Sequence, residues 1–291
     1  MTIEWVDRVS RWYLDHGRTD LPWRGEHVTP WAVMVSEVML QQTQVSRVAP
    51  RLSEWLERWP TPRDLADAPP AEVLKAWGRL GYPRRALALQ AAARVIAEEH
   101  GGVVPTDVSA LLALPGIGHY TARAVAVFAH GQRHPVVDTN VRRVVARVVH
   151  GQAIAGPPAT TRDLADTEAL LPADPPAAAI ASVGIMELGA IVCTARAPKC
   201  DECPIAAWCA WRLAGYPPYE GPSRAPQARF DGSDRQVRGR IMAILRGADI
   251  PVPRFALDAT SPDADQVERA LQGLIADGLA TVESNGAIRL P

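Results

Sequence analysis

The four cysteines of this chain all fall between residues 193 and 209, in the spacing C-x6-C-x2-C-x5-C. A disulfide framework spreads its cysteines along a chain, whereas thiolates crowded into one short segment wrap a metal site. Cys193, Cys200, Cys203 and Cys209 can enclose one tetrahedral ion or one iron-sulfur cube. Structural zinc commonly pairs two C-x2-C knuckles and this segment has a single one, so the spacing favours a 4Fe-4S cluster over zinc. Arg196, Lys199 and, just beyond, Arg212 would let such a box act as a staple that presents cations to phosphates.

The 291 residues leave room for two domains and a small third. With 47% hydrophobic and 22% charged residues, disorder is excluded as a description of the whole. No apolar run approaches the ~20 residues that cross a bilayer. The start, MTIEWVDRVSRWYLDHG, lacks the apolar core of a secretion signal, which places the chain in the cytoplasm. Net charge is -1, but residues 131–152 and 193–240 each carry +3 against -4 for 153–192 and -3 for 241–291. Such a chain can present a basic face to a nucleic acid, although solvated charge is the plainer explanation. Only Lys75 and Lys199 are lysines among 31 basic residues, so Schiff-base chemistry has almost no candidate nucleophile.

Glycine and proline punctuate a series of helical patterns, and extended alternation is scarce. Ile3 to His16 repeats apolar residues at 3, 6, 9, 13 and 14 and stops at Gly17. Pro30 opens a second pattern running toward Thr43. Further helices fit 44–58, 71–78, 84–100, 107–113, 119–130, 139–150, 161–170 and 176–192. Residues 215–229 read as a proline- and glycine-rich linker. Beyond it come helical patterns at 235–246 and 263–277, then two short apolar runs flanking Ser284-Asn285-Gly286, a hairpin signal. Residues 230–291 therefore suggest a winged-helix-like module, with a generic helical tail as the alternative.

Three local patterns carry chemistry. Leu114-Pro115-Gly116-Ile117-Gly118 lies between two helical patterns, where two glycines permit a tight turn that exposes backbone N–H groups to a phosphate. A plain helix-helix turn explains the same pattern. Glu37 has Val33, Met34, Leu40 and Gln41 as helical neighbours, and a carboxyl on such an apolar face is desolvated and suited to a general acid. A glutamate at the edge of that face, pointing to water, is the alternative. Asp138 precedes Thr139-Asn140-Val141 and reads either as a helix cap or as an ionised carboxylate facing a cationic sugar.

Taken together, residues 5–212 resemble the helix-hairpin-helix, iron-sulfur DNA glycosylases, and among them the MutY-type adenine DNA glycosylases. The motifs stand in the family's order: Leu21-Pro22-Trp23-Arg24, Ser36-Glu37-Val38-Met39-Leu40-Gln41-Gln42-Thr43, Trp77-Gly78-Arg79-Leu80-Gly81-Tyr82, the glycine hairpin, Val137-Asp138-Thr139-Asn140, Met186-Glu187-Leu188-Gly189-Ala190 and the cysteine box. The resemblance implies an all-α fold. An iron-sulfur domain would comprise 1–24 plus 134–214, a six-helix module 25–133, and the winged-helix-like module would follow the linker. It implies a monomeric, cytoplasmic enzyme (nucleoid-associated if bacterial) that flips adenine out of mismatched double-stranded DNA, with no membrane partner. Glu37 would protonate the adenine, and Asp138 would stabilise the oxocarbenium-like sugar, with Tyr120 and Asn140 supporting them. Leu21, Trp23, Arg24 and Glu187 would form the adenine pocket, and Gln42, Thr43 and Tyr82 would reach into the duplex beside the opposite base. Gly116 and Gly118 would hold a phosphate, and hairpin carbonyls an alkali-metal ion.

Strand-cutting relatives carry a lysine where this chain has Tyr120, and no lysine lies within 40 residues of it, so the resemblance implies a monofunctional glycosylase. Pro83 stands where a second aromatic usually follows Tyr82, and Thr139 replaces a common glycine. The 70 residues from 222 to 291 are too few for the Nudix-like domain that reads 8-oxoguanine opposite adenine in familiar members. Two other readings stay open: a glycosylase for thymine or uracil opposite guanine, and a non-catalytic iron-sulfur DNA-binding regulator.

Overall fold

A computed structural model describes residues 3–25, 27–158, 160–222 and 229–291. The expected linker at 215–229 lies partly outside these residues. The helices run α1 Glu4–His16, α2 Pro30–Leu40, α3 Val45–Arg58, α4 Pro62–Asp67, α5 Pro70–Trp77, α6 Arg84–Glu99, α7 Val108–Ala113, α8 His119–Phe128, α9 Thr139–Val148, α10 Thr160–Leu170, α11 Pro175–Ile191, α12 Ala210–Leu213, α13 Asp234–Gly247 and α14 Ala264–Ala276. Two strands, β1 Thr281–Val282 and β2 Ile288–Arg289, close the chain, which is all-α apart from this hairpin among the described residues. None of these helices is long and apolar enough to cross a membrane.

Two compact units emerge from the packing. One comprises Met1–Met34, Thr106–Leu112 and Gly118–Ala225; the other Val35–Pro105, Ala113–Ile117 and Pro226–Pro291. These boundaries do not follow the partition read from sequence, because α8 packs its Ala124 and Val127 on Val136 and Met186 of the first unit. In that unit α1, α9 and α11 share a core of Val6, Val9, Val141, Val144, Ile185 and Leu188, all essentially without solvent contact. Gly189 decides how closely α9 meets α11: a Cβ there would lie 2.7 Å from Asn140 Cβ and 2.9 Å from Asn140 O. Any side chain would push the start of α9 away.

The second unit packs α4 and α5 on α6 around Trp55, Trp59 and Trp77, whose rings meet edge to face at 4.6 and 5.6 Å. Helix α4 was not among the sequence-expected helices, although its signal is present. Thr61 accepts from Asp64 N while the Asp64 carboxylate accepts from Thr61 N, a reciprocal cap followed by Pro62. Six residues are too few for periodicity to register. Helix α2 is shorter than expected, ending at Leu40 because Gln42 takes a left-handed φ of 57°.

The C-terminal module is winged-helix-like, with α13 packed on α14 and a short 3-10 helix, Arg254–Thr260, between them. Thr281 pairs with Arg289 and Val282 with Ile288, and Val252 bridges to Ile288 as a third extended segment. Gly286, at φ 82°, makes the turn that the Asn285-Gly286 pair signals.

Candidate active site and cysteine box

Asp138 is the N-cap of α9, so the cap reading of the sequence is structurally real. Its Oδ1 accepts from Asn140 N at 2.8 Å and Val141 N at 2.7 Å, and its Oδ2 accepts from Asn140 Nδ2 at 2.7 Å. Capping aims the carboxylate and fixes both oxygens. Burial raises the carboxyl above the ordinary aspartate range; the three donors and the Arg143 charge pull in the opposite direction without overcoming it. Tyr120, on the first turn of α8, packs against the small core cluster of Ala124, Val127 and Val136, the last of which stands two residues before Asp138.

The same helix ties this carboxylate to the cysteine box. Arg143 donates to Asn140 Oδ1 at 2.7 Å, to Gly189 O at 2.6 Å and to Cys193 O at 2.7 Å. One turn on, the buried Arg147 donates to Thr194 O at 2.8 Å and Cys193 Sγ at 3.3 Å, and its guanidinium lies 4.7 Å from the Trp211 ring centroid. Arg147 and the four cysteines line one cavity with Val148, Leu188, Ile205 and Trp211. The Cys203 thiol is pushed up to about 11 by burial, with the other three cysteines adding to the rise. Yet among the described residues no three cysteine, histidine, aspartate or glutamate side chains close around a single metal ion. Four thiols that line one cavity are the donor set an iron-sulfur cluster takes.

Glu187 is fully buried and accepts from four N–H groups of two arginines, one of them the Arg18 backbone N–H at 3.2 Å. Arg18 grips it bidentately, Nε to Oε1 at 2.6 Å and Nη2 to Oε2 at 3.0 Å, and Arg24 Nη1 reaches Oε2 at 2.9 Å. Burial pushes the Glu187 carboxyl up, but Arg18 and Arg24 outweigh it, and the net shift is below the ordinary value. Arg24 also lies 5.5 Å from the Tyr13 ring centroid, with Leu21 and Trp23 half-buried alongside in sequence.

In the second unit, Glu37 is 5% exposed on α2, where every residue from 31 to 39 is buried. Thr43 and Tyr82, but not Gln42, are brought to one residue that sequence reasoning missed. Arg85 donates to Val38 O at 2.8 Å, Met39 O at 3.1 Å and Gln41 O at 2.5 Å, closing the C-terminal carbonyls of α2. Its other nitrogen reaches Thr43 Oγ1 at 3.1 Å, Leu80 O at 3.3 Å and Gly81 O at 2.9 Å. Its guanidinium lies 5.1 Å from the Trp77 ring and 5.7 Å from the Tyr82 ring. Burial lowers Arg85 to about 10, leaving it charged at neutral pH. Tyr82 is 45% exposed at a left-handed φ of 47°, so two non-glycine residues of these loops, Gln42 and Tyr82, hold a backbone conformation that side chains seldom adopt.

The hairpin is formed as expected. Ile117 N donates to Leu114 O at 3.2 Å, Gly116 takes a φ of 74°, and the exposed Gly118 opens α8 as a cap that brings no side chain of its own to the first N–H groups. Gly116 could not be replaced without loss, since a Cβ would come within 2.6 Å of Ala88 Cβ.

A hairpin opening α8, a capping aspartate at the next helix and a cysteine box define a base excision DNA repair fold. The HhH-GPD superfamily base excision DNA repair protein profile matches residues 35–167, and the iron-sulfur binding domain of endonuclease III matches 193–209. A solved thermostable thymine-DNA glycosylase superposes with a TM-score of 0.66 at 28% identity, covering 72% of this chain and 96% of that one. The adenine DNA glycosylase of Mycobacterium tuberculosis H37Rv is 56% identical over 281 residues, 96% of this chain and 91% of the relative. That of Mycolicibacterium smegmatis is 54% identical over 291 residues, 100% of this chain and 97% of its own. The chain belongs to the adenine DNA glycosylases. The short C-terminal module lies within the matched length of the Mycolicibacterium relative.

Proposed function

We propose that this enzyme excises adenine mispaired with 8-oxoguanine or guanine in double-stranded DNA, as a cytoplasmic monomer, and leaves an abasic site without cutting the strand. The observation that carries the reading is the Asp138 carboxylate, held by three N–H donors at a helix start, with Arg143 as the one cation that acts on it among the described residues. Such a group is built to meet positive charge that develops on a sugar. Glu37, buried in α2, donates a proton to the adenine ring; the glycosidic electron pair leaves with the base. Water then adds to the sugar carbon and loses its proton, completing hydrolysis. Asn140 and Tyr120 support the carboxylates, and no lysine stands near Tyr120 in the sequence to form an imine.

Leu21, Trp23, Arg24 and Glu187 shape the adenine pocket, with Glu187 acting as the anchor for Arg18 and Arg24, since both its oxygens are already engaged. Tyr82, Gln42 and Thr43 enter the duplex, and Gly116 and Gly118 hold a phosphate while hairpin carbonyls hold an alkali-metal ion. Cys193, Cys200, Cys203 and Cys209 hold a 4Fe-4S cluster, which supplies a rigid staple for the box. Equal iron and sulfide, with no zinc, in the purified protein is the expected analysis; zinc alone would overturn it.

The deciding experiment is single-turnover excision on duplexes with A opposite 8-oxoguanine, G or C, and with T or U opposite G. Adenine release that becomes a strand break only after alkali is expected. Release of thymine or uracil alone would overturn the adenine reading, and breaks without alkali would overturn the monofunctional one.

A further inference from the structure

The C-terminal module brings an arginine toward the loop that carries Tyr82, and the two carboxylates that come with it, Asp249 and Asp277, are paired with other cations: Lys75, and Arg84 and Arg238. Helix α13 packs on α5, and Lys75 Nζ, in the last turn of α5, lies 3.4 Å from Asp249 Oδ1, just past the end of α13. The two helices therefore end side by side. Arg246 occupies the last turn of α13, and Arg79 follows Gly78, the C-cap of α5. The guanidinium of Arg47 donates to Arg79 O, which adds a third cation. Among the described residues none of these three guanidiniums forms an ion pair, although the arginines around them do: Arg51 with Glu54, and Arg84 and Arg238 with Asp277.

Half-buried Arg246 is held below the ordinary arginine value by burial and then by the Arg79 charge. A helix C-terminus favours an arginine, but it gives no reason to place a second one against it. Arg79 and Arg47 are exposed, so their charge stands in solvent where a backbone phosphate can reach it. Arg79 is three residues from Tyr82, so a phosphate held there would lie next to the loop read as entering the duplex. The face by which a winged helix commonly reads DNA is unsuited here: Asp263, Asp265 and Glu268 are exposed at the start of α14, and Asp258 precedes them.

We propose that Arg246 and Arg79, flanked by Arg47, form a clamp for a DNA backbone phosphate beside Tyr82, through which the C-terminal module takes part in duplex binding by α13 and not by α14. The proposal rests on the reading of Tyr82 as the residue that enters the duplex. The test measures binding of the full chain to a duplex carrying a non-hydrolysable 2′-fluoro adenosine opposite guanine, between about 50 and 200 mM salt. Arg246→Met and Arg79→Met are each expected to weaken binding several-fold and to reduce the slope of log affinity against log salt by about 0.9. The double variant should fall little further, because one phosphate is shared. Arg246→Lys should restore part of the loss. Arg269→Met removes the same charge from α14 and should change neither quantity.

An Arg246→Met variant that retains wild-type thermal stability and binds like Arg269→Met would overturn the clamp. The same preparations are assayed for adenine release from the unmodified duplex. Wild type that binds and releases no adenine would sink the functional reading instead, while release with an unchanged salt slope in Arg246→Met sinks the clamp alone.

Discussion

Glu37 and Asp138 are both carboxylates withdrawn from water, but they are held in opposite ways. Glu37 sits mid-helix in α2, where its neighbours from Trp31 to Met39 are buried apolar residues apart from Ser36. Asp138 sits outside its helix, at the cap, where backbone and amide N–H groups converge on it at 2.7 to 2.8 Å. An apolar helix offers little to an ionised carboxylate, whereas a cap offers donors that favour one. On the proposed reading these two environments separate the proton donor from the charge stabiliser.

The strongest way to break this comparison is to remove each charge while keeping its shape. Glu37→Gln and Asp138→Asn are each expected to slow single-turnover adenine release by about 10^3-fold. Asparagine is a good cap, so Asp138→Asn should melt close to wild type. Mismatch binding should survive Glu37→Gln; a loss of binding as large as the loss of rate would deny Glu37 its role as acid.

Arg85→Lys keeps the charge but cannot span six acceptors with one ammonium. With one charged hydrogen bond lost at about 1.5–3 kcal/mol, excision should drop by roughly 10- to 100-fold. The drop should lie in the excision rate at saturating enzyme, since Arg85 sets where α2 ends and where Tyr82 stands. An unchanged rate would make Arg85 a packing residue only.

A sharper test of the cap uses pH. Burial raises the Asp138 carboxyl above 3.8, and the proposed reaction uses its ionised form, so activity is expected to be lost as pH falls through that raised value. Asn140→Ala removes a donor that opposes the rise, and the acid limb of the pH-rate profile should move to higher pH. A limb that stays in place, or moves down, would separate Asp138 from the titration. The smallest expected effect is Thr61→Ala, which opens the α4 cap, costs about 1 kcal/mol of stability and leaves excision unchanged.

Groups whose partners are close in sequence are legible in the chain itself. Asp138 bonds to residues two and three positions on, the hairpin closes within four, and the cysteine box spans 17 residues. Arg18, Arg85, Arg143 and Arg147 escape a sequence reading for the converse reason. Arg18 meets Glu187 across 169 positions, Arg85 meets Val38 across 47, and Arg143 meets Cys193 across 50. Nothing local distinguishes these arginines from solvated ones.

The order of the helices, the hairpin, the Asp138 cap and the ligand set all follow from the chain alone, because short-range sterics and hydrogen bonding select those conformations residue by residue. Packing had to decide the rest: that α2 stops at Leu40, that Glu187 is spent on two arginines, and that α13 packs on α5. Those outcomes depend on which charged groups are brought together once water is expelled, and a linear pattern carries no record of that.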